Sequence, residues 1–312
     1  MTVSVVIPTY RRPGFLRETL ESVWAQTRLP DEILIGDDSL DDETERLVLE
    51  TLSPKSPVPM RYFHNKPPLK EGKNVDTLYR AAKCSHILHL HDDDPVLPRC
   101  LEYLTDALAR YPQAVAAFGL QYITDEHGVR LKPESERTNR TYFRTKEHEG
   151  LVDGFFAGAV SMFPNNGFLI DAAAARRVGY DAKGDAGSAV DYYFGHRFGQ
   201  LRLPMVFVNR YTATVRMTPG SESRVATADN AYQRMSFLMT NLRYSDLNPE
   251  TLASIRHHLP FAIANAASLG KPGTGWKWFF SPYFRRLLFT PKGVKCAIRL
   301  SIASLRASLR PR

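Results

Sequence analysis

His86-Ile87-Leu88-His89-Leu90-His91-Asp92-Asp93-Asp94-Pro95-Val96-Leu97-Pro98 is the stretch on which the reading of this chain turns. Ile87, Leu88 and Leu90 make a short apolar run, and Pro95 and Pro98 stop any ladder, so the pattern predicts a buried strand ending in a loop. Asp92, Asp93 and Asp94 then stand at a strand's carboxyl end. Two unit charges about 5 Å apart repel by roughly 3 kcal/mol at an effective dielectric of about 20, so three adjacent carboxylates need compensation. A hard divalent cation is one solution, since carboxylate and water oxygens suit Mg2+ or Mn2+ and such ions are shared with substrate phosphates. A solvated acidic turn with Asp94 capping the next helix is the other.

The residues before this stretch repeat its layout. Val3 to Ile7 is an apolar run of the kind buried on both faces of a parallel sheet, ended by Pro8-Thr9-Tyr10-Arg11-Arg12. Pro13 suits a first helical turn, and Leu16, Leu20, Val23 and Trp24 recur at helical spacing. Glu32 to Gly36 reads as a second strand closed by Asp37-Asp38-Ser39, Thr44 to Leu52 as a helix, Met60 to Phe63 as a third strand and Val75 to Ala82 as a helix. Alternating strands and helices predict a mostly parallel sheet with right-handed crossovers. Ligands bind such sheets at the strands' carboxyl ends, where Tyr10, Asp37, Asp38 and Asp92 to Asp94 all fall. That convergence favours a binding site over a solvated turn.

Composition sets the bounds. With 312 residues, 43% hydrophobic and 24% charged, the chain can bury a large core and shows no sign of disorder. Three cysteines, Cys84, Cys100 and Cys296, fall in no paired spacing for zinc or disulfides, which points to buried thiols in a reducing compartment. The net charge is +8, yet no acidic residue follows Glu250, while 11 of the 41 Lys and Arg lie from Arg256 onward. Positions 1 to 250 therefore hold 30 basic and 33 acidic residues, a net of −3. The basic character belongs to the tail. No secretory signal and no apolar run of about 18 residues is visible, so a cytoplasmic protein, free or on the inner face of the cell membrane, is expected.

Val3-Ser4-Val5-Val6-Ile7-Pro8-Thr9-Tyr10-Arg11-Arg12, Leu20-Glu21-Ser22-Val23-Trp24-Ala25-Gln26-Thr27, Glu32-Ile33-Leu34-Ile35-Gly36-Asp37-Asp38-Ser39 and His91-Asp92-Asp93-Asp94 follow one another at a specific spacing. Together they resemble the opening of family 2 glycosyltransferases, and the last is similar to that family's metal-binding Asp-x-Asp segment. The resemblance implies an α/β GT-A fold, a Rossmann-like mostly parallel sheet flanked by helices, and a nucleotide-sugar donor, with a UDP-sugar favoured. Asp37 or Asp38 can accept from a base imide N–H, Tyr10 offers a stacking face after Pro8, and Arg11 and Arg12 can meet phosphate. Lys73 and Asn74 open a helix and are placed to approach the diphosphate. Asp93 is expected to hold Mn2+ or Mg2+, with Asp92 or Asp94 assisting through water or the ribose. His91 stands where many relatives carry the first Asp.

Farther on, Asn166 to Asp171, Ala172 to Val178 and Gly179-Tyr180-Asp181 resemble the family's strand, helix and turn. Asp191 matches the Asp of the family's Glu-Asp pair, with Val190 replacing the Glu, and is implied to be the general base. A helix N-cap or a partner for Arg197 is the competing role. Around Val215 to Ser221, relatives often show Arg-x-His; Thr218 takes the His slot, and Arg216 or Arg224 is expected to serve the phosphates. Asp125 to Glu149 is highly charged without periodicity, which predicts a long surface loop or hairpin.

Residues 1–223 are thus expected to form the GT-A domain, with a donor half at 1–120 and an acceptor half at 121–223. Residues 224–312 are expected to form a basic helical extension. Within it, Trp276 to Phe289 is dense in aromatic and basic residues, and Lys292 to Arg310 repeats the theme, so residues 270–312 suit peripheral contact with an anionic membrane or a helical subdomain packed inward. No nucleic-acid motif is present. The expected activity is an inverting, metal-dependent transfer to a glycan or lipid-linked glycan in cell-surface polysaccharide biosynthesis. The alternative is a catalytically silent nucleotide-sugar-binding or scaffold protein of an assembly complex, suggested by His91, Val190 and Thr218.

Overall fold

The computed structural model describes residues 1–181, 189–218, 227–242 and 247–309. The chain divides into two compact units, Met1–Pro219 and Gly220–Arg312. The boundary expected after residue 223, and Arg224 with it, lie outside the described residues.

The first unit is built on an eight-stranded sheet. In chain order its strands and helices are β1 (Val3–Thr9), α1 (Pro13–Trp24), β2 (Glu32–Asp37), α2 (Glu43–Arg46), β3 (Met60–His64), α3 (Glu71–Ala81), β4 (His86–His89) and α4 (Cys100–Arg110). β5 (Ala116–Thr124), α5 (Lys132–Thr141), β6 (Gly150–Val152), α6 (Gly154–Ala159), β7 (Phe168–Asp171), α7 (Ala172–Val178), α8 (Val190–Gly199) and β8 (Met205–Arg216) follow. The helix expected over Thr44 to Leu52 is α2 for one turn and then a wider π-helical stretch, Leu47–Leu52.

The strands lie in the order β3-β2-β1-β4-β7-β5-β8-β6. β1 pairs in parallel with β2 and β4, and β2 with β3. β7 runs antiparallel to both β4 and β5, and β5 is parallel to β8. It follows that β1, β2, β4, β5 and β8 all end on the same edge of the sheet. β1 and β2 are buried almost without interruption, as runs without polar alternation require when helices cover both faces. β4 ends at His89, ahead of the acidic trio and of both prolines expected to stop it, and between those prolines the chain leans on β8: Val96 bridges Ala213, and Thr214 N donates to the Pro95 carbonyl at 3.1 Å.

The structure corrects the loop expected over Asp125 to Glu149, because α5 occupies its middle. That helix turns a polar face inward. Ser135 Oγ accepts from Ile123 N, and Asn139 both accepts from Gln121 N and donates to the Gln121 carbonyl, so the pair at i and i+4 satisfies β5 where its ladder is open. A helix buried through Ser and Asn carries no hydrophobic period.

The second unit consists of helices α9 (Thr227–Asn241), α10 (Pro249–Ser268), α11 (Pro272–Phe279) and α12 (Pro291–Ser308). Asn248 caps α10 by accepting from Thr251 N at 2.8 Å. The aromatic stretch is not one amphipathic helix: α11 stops at Phe279, and Trp278, Phe279, Tyr283 and Phe284 are buried, with Phe279 and Phe284 rings 4.9 Å apart. Aromatics on more than one side of a short helix belong to a core, and Phe280 and Phe289 are the ones left outside. No helix among the described residues is long and apolar enough to cross a membrane.

Candidate active site

The acidic trio sits where the aligned strand ends bring β1, β2, β4 and β8 together, and each carboxylate has a distinct set of partners. Asp92 Oδ2 accepts from Thr9 Oγ1 at 2.8 Å and Tyr10 N at 3.4 Å, and its Oδ1 lies 3.3 Å from Arg12. Asp93 Oδ2 accepts from Arg12 Nη1 at 2.8 Å, and its Oδ1 has no hydrogen-bond partner among the described residues. Asp94 is enclosed: Oδ1 accepts from Arg216 N at 2.7 Å, and Oδ2 accepts from Asn166 Nδ2 and lies 3.2 Å from His91 Nδ1. Asp94 is therefore no cap for α4, whose first turn follows Arg99.

The compensation that three carboxylates require comes in part from the chain itself. Arg12 and His91 bring positive charge to the carboxylates, and Arg216 brings its backbone N–H to Asp94. Burial still dominates, and with Asp93 alongside it pushes the Asp92 carboxyl up to about 6 against the pull of Arg12 and Thr9. Burial raises Asp94 as well, against the bonds from His91 and Arg216 N. For His91, burial works downward, but the Asp94 hydrogen bond and the charges of Asp191 and Asp94 outweigh it and push the imidazole up to about 10.

His91 also faces the other side of the site. Its Nε2 is buried, makes no hydrogen bond among the described residues, and lies 3.9 Å from Asp191 Oδ1. Asp191 stands in the first turn of α8, where Ala189 is the N-cap residue, and accepts from Tyr180 Oη through Oδ1. Neither competing role holds: Asp191 is not the cap, and Arg197 donates to the Tyr180 and Gly179 carbonyls instead. Donor atoms of Glu71, His91 and Asp191 lie within 4.8 Å of one another, and so do those of His91, Asp93 and Asp94. The second group fits a hard cation through its carboxylates, with Asp93 Oδ1 uncommitted, while His91 as an imidazolium offers no lone pair until it gives up its proton.

At the end of β2 the two carboxylates differ. Asp37, fully buried, accepts from Ser39 N at 2.8 Å through Oδ1 and from Tyr62 Oη at 2.5 Å through Oδ2. Asp38 Oδ1 accepts from Asn65 Nδ2 and Leu69 N, and its Oδ2 takes no hydrogen bond among the described residues. Pro8 sits beside them, in register with Gly36. Tyr10 is half exposed, with the Arg11 guanidinium 5.8 Å from its ring centroid. Lys73 is exposed in the first turn of α3.

Geometry corrects two expected donor contacts and gives a third residue, Arg12, other partners through Nη1. Asn74 is buried, donates to the Gly36 carbonyl at 2.8 Å and accepts from Asn65, so its amide positions the strand end instead of facing a diphosphate. Arg216 is buried and spends its guanidinium on the Asp93 carbonyl, the Glu126 carbonyl and Glu18, which leaves no face for a phosphate. Arg12 holds Asp92 and Asp93. Residues that pattern reading passed over are Tyr62, His64, Asn65 and Asn166. Tyr62 and His64 stand two apart at a strand's carboxyl end, a placement that marks them in retrospect.

These strand ends, with an acidic loop at the centre and a carboxylate across from it, define a GT-A fold of the kind that handles nucleotide-sugars. The chain belongs to glycosyl transferase family 2, which its residues 4–183 match. TarS from S. aureus is similar in fold, 13% identical with a TM-score of 0.68, covering 97% of this chain and 54% of that one. S. aureus TarS 1–349 in complex with UDP-GlcNAc is 16% identical with a TM-score of 0.60, over 97% and 81% of the two chains. The mannosyltransferase PcManGT from Pyrobaculum calidifontis, in complex with GDP-Man and Mn2+, is 14% identical with a TM-score of 0.60, over 98% and 87%. At these identities the likeness shows the fold. Uncharacterized protein MT1568 of Mycobacterium tuberculosis (strain CDC 1551 / Oshkosh) is 28% identical over 103 residues, 33% of this chain and 31% of that protein.

Proposed function

We propose that this chain transfers a sugar from a nucleoside-diphosphate donor to a hydroxyl of a glycan or lipid-linked glycan, with inversion, in cell-surface polysaccharide biosynthesis. The observation that carries the reading is the presence of two carboxylates across one site: Asp93 with an open Oδ1, and Asp191 held by Tyr180, with His91 lying 3.2 Å from Asp94 and 3.9 Å from Asp191. Solved relatives of the same fold hold UDP-GlcNAc, or GDP-Man with Mn2+, which supports the donor class.

On this reading Asp38 Oδ2 takes the imide N–H of the base, Tyr10 covers the ring, and Lys73 approaches the diphosphate from the first turn of α3. Asp191 accepts the acceptor's hydroxyl proton while that oxygen attacks the anomeric carbon, and the bond to the diphosphate breaks on the opposite face. Tyr180 holds one oxygen of Asp191, so the other is the base. Asp93, with His91 and Asp94 beside it, would hold a Mn2+ or Mg2+ ion, which supplies positive charge for the departing diphosphate. Asp92 orients the loop through Thr9, Tyr10 and Arg12.

The test is donor turnover by the purified protein with Asp191→Asn beside it. Loss of turnover by about 100-fold or more, with nucleotide binding retained, is expected of a removed general base. An Asp191→Asn protein that turns over donor like wild type would end this assignment. A second reading, a nucleotide-sugar-binding protein without turnover, is favoured by Arg12 and His91 already neutralising the trio. Donor binding without turnover in the wild-type protein is its signature.

A further inference from the structure

Helix α12 opens on Thr290, whose Oγ1 accepts from Gly293 N, and it packs inward through Gly293, Cys296 and Leu300. At about 100° per residue, Val294, Ile298, Ile302 and Leu305 share an arc roughly 80° wide on the side away from those three. A helix of a soluble domain usually turns polar residues there. Here the four aliphatic side chains are 52%, 56%, 46% and 63% exposed, and Phe289, just before the helix, is 98% exposed. Lys295, Arg299 and Arg306 run along one edge of the arc, all exposed. At its amino end Phe289, Val294 and Ile298 join Lys295 and Arg299 in lining an open groove.

Charge decides what covers this face. No Asp or Glu follows Glu250, while 11 Lys and Arg do, so the same face of a second copy would meet it cation against cation. A nucleic acid would satisfy the cations but leave the aliphatic arc in water. An anionic bilayer satisfies both, with aliphatic side chains at the acyl boundary and Lys and Arg among the headgroup phosphates.

We propose that α12, with Phe289, is a docking face for an anionic phospholipid membrane. It goes beyond the transfer reaction, and its test uses neither donor nor acceptor, so its failure leaves the catalytic reading untouched.

The experiment is co-sedimentation of the full chain with vesicles of phosphatidylcholine alone and of phosphatidylcholine mixed with phosphatidylglycerol. Binding is expected on the mixed vesicles only. Ile298→Asn with Leu305→Asn should weaken it about tenfold or more. Lys295→Gln with Arg299→Gln should weaken it about fivefold for each charge removed, and added salt should mimic that pair. Because these side chains are exposed, circular dichroism and the melting temperature of both pairs should match wild type. The proposal is overturned by no binding to the mixed vesicles, by equal binding of the variants, or by a lipid-free dimer that the Ile298 and Leu305 changes abolish.

Discussion

Replacing Asp94 by alanine separates a structural carboxylate from a metal ligand. The change strands three buried donors at once: Asn166 Nδ2, Arg216 N and His91 Nδ1. At about 2 kcal/mol for each unsatisfied buried donor the loss is about 6 kcal/mol. Against it stands relief of repulsion with Asp93, whose ligand atom lies within 4.8 Å. At that distance two charges repel by about 3.5 kcal/mol at an effective dielectric of about 20. The net cost is about 3 kcal/mol, which for a domain near 200 residues lowers the melting temperature by about 6–12 °C. Asp93→Ala is the contrast, since it gives up one bond from Arg12, a side chain 40% exposed, and such pairs contribute about 1 kcal/mol or less. Thermal unfolding of both variants, with and without Mn2+ and UDP, gives the answer. Asp94→Ala should melt low and Asp93→Ala near wild type without a Mn2+-dependent shift. An Asp94→Ala protein that melts within about 2 °C of wild type would refute the reasoning.

Two further outcomes follow from the end of the site built on β2 and β3. His64 lies 2.9 Å from Glu45 Oε2 and 2.9 Å from the Ser39 carbonyl, two acceptors that favour a ring protonated on both nitrogens. Burial lowers its pKa, but those two bonds outweigh it and raise the pKa above the ordinary value. A raised folded pKa means the contribution is complete below about 6.5 and is lost as pH rises through the folded value. The melting difference between wild type and His64→Gln should therefore shrink above neutral pH, and a constant difference across that range would contradict it. Gly36→Ala places a Cβ 2.1 Å from Asn74 Oδ1. Overpacking of about 1–3 kcal/mol should appear as a lower melting temperature together with weaker nucleotide binding, because Asn74 anchors Asn65 and Asn65 anchors Asp38. Unchanged nucleotide affinity would show that this chain of amides does not position Asp38.

Much of the fold was legible because its parallel strands are buried on both faces. Val3 to Ile7 and Glu32 to Gly36 announce themselves as apolar runs, and each is followed by polar residues that can only stand at a carboxyl end. α5 was not legible, since Ser135 and Asn139 bind β5 through hydrogen bonds and leave no apolar period in a charged segment. The aromatic tail misleads in the opposite sense. Trp278, Phe279, Tyr283 and Phe284 look like a membrane face in one dimension and are a core in three. The unpartnered face lies one element later, on α12, where aliphatic and basic residues alternate less conspicuously.

The site shows the same limit at the level of charge. Sequence places Asp92, Asp93 and Asp94 at a strand end, and a repulsion argument then asks for a cation. The argument does not say which cation. Arg12 reaches two of the carboxylates from the end of β1, while Arg216 gives Asp94 its backbone N–H and not its charge from the end of β8, 122 residues on, because β4 and β8 end on the same edge of the sheet. His91 completes the set from within the loop. Arg12, expected to meet phosphate, already holds two of these carboxylates, and the Arg216 guanidinium is spent on the Asp93 and Glu126 carbonyls and on Glu18. Asp93 Oδ1 is what remains open, and a single open carboxylate oxygen beside a preneutralised trio is a site that a divalent ion can enter without bearing the whole cost of gathering the three carboxylates.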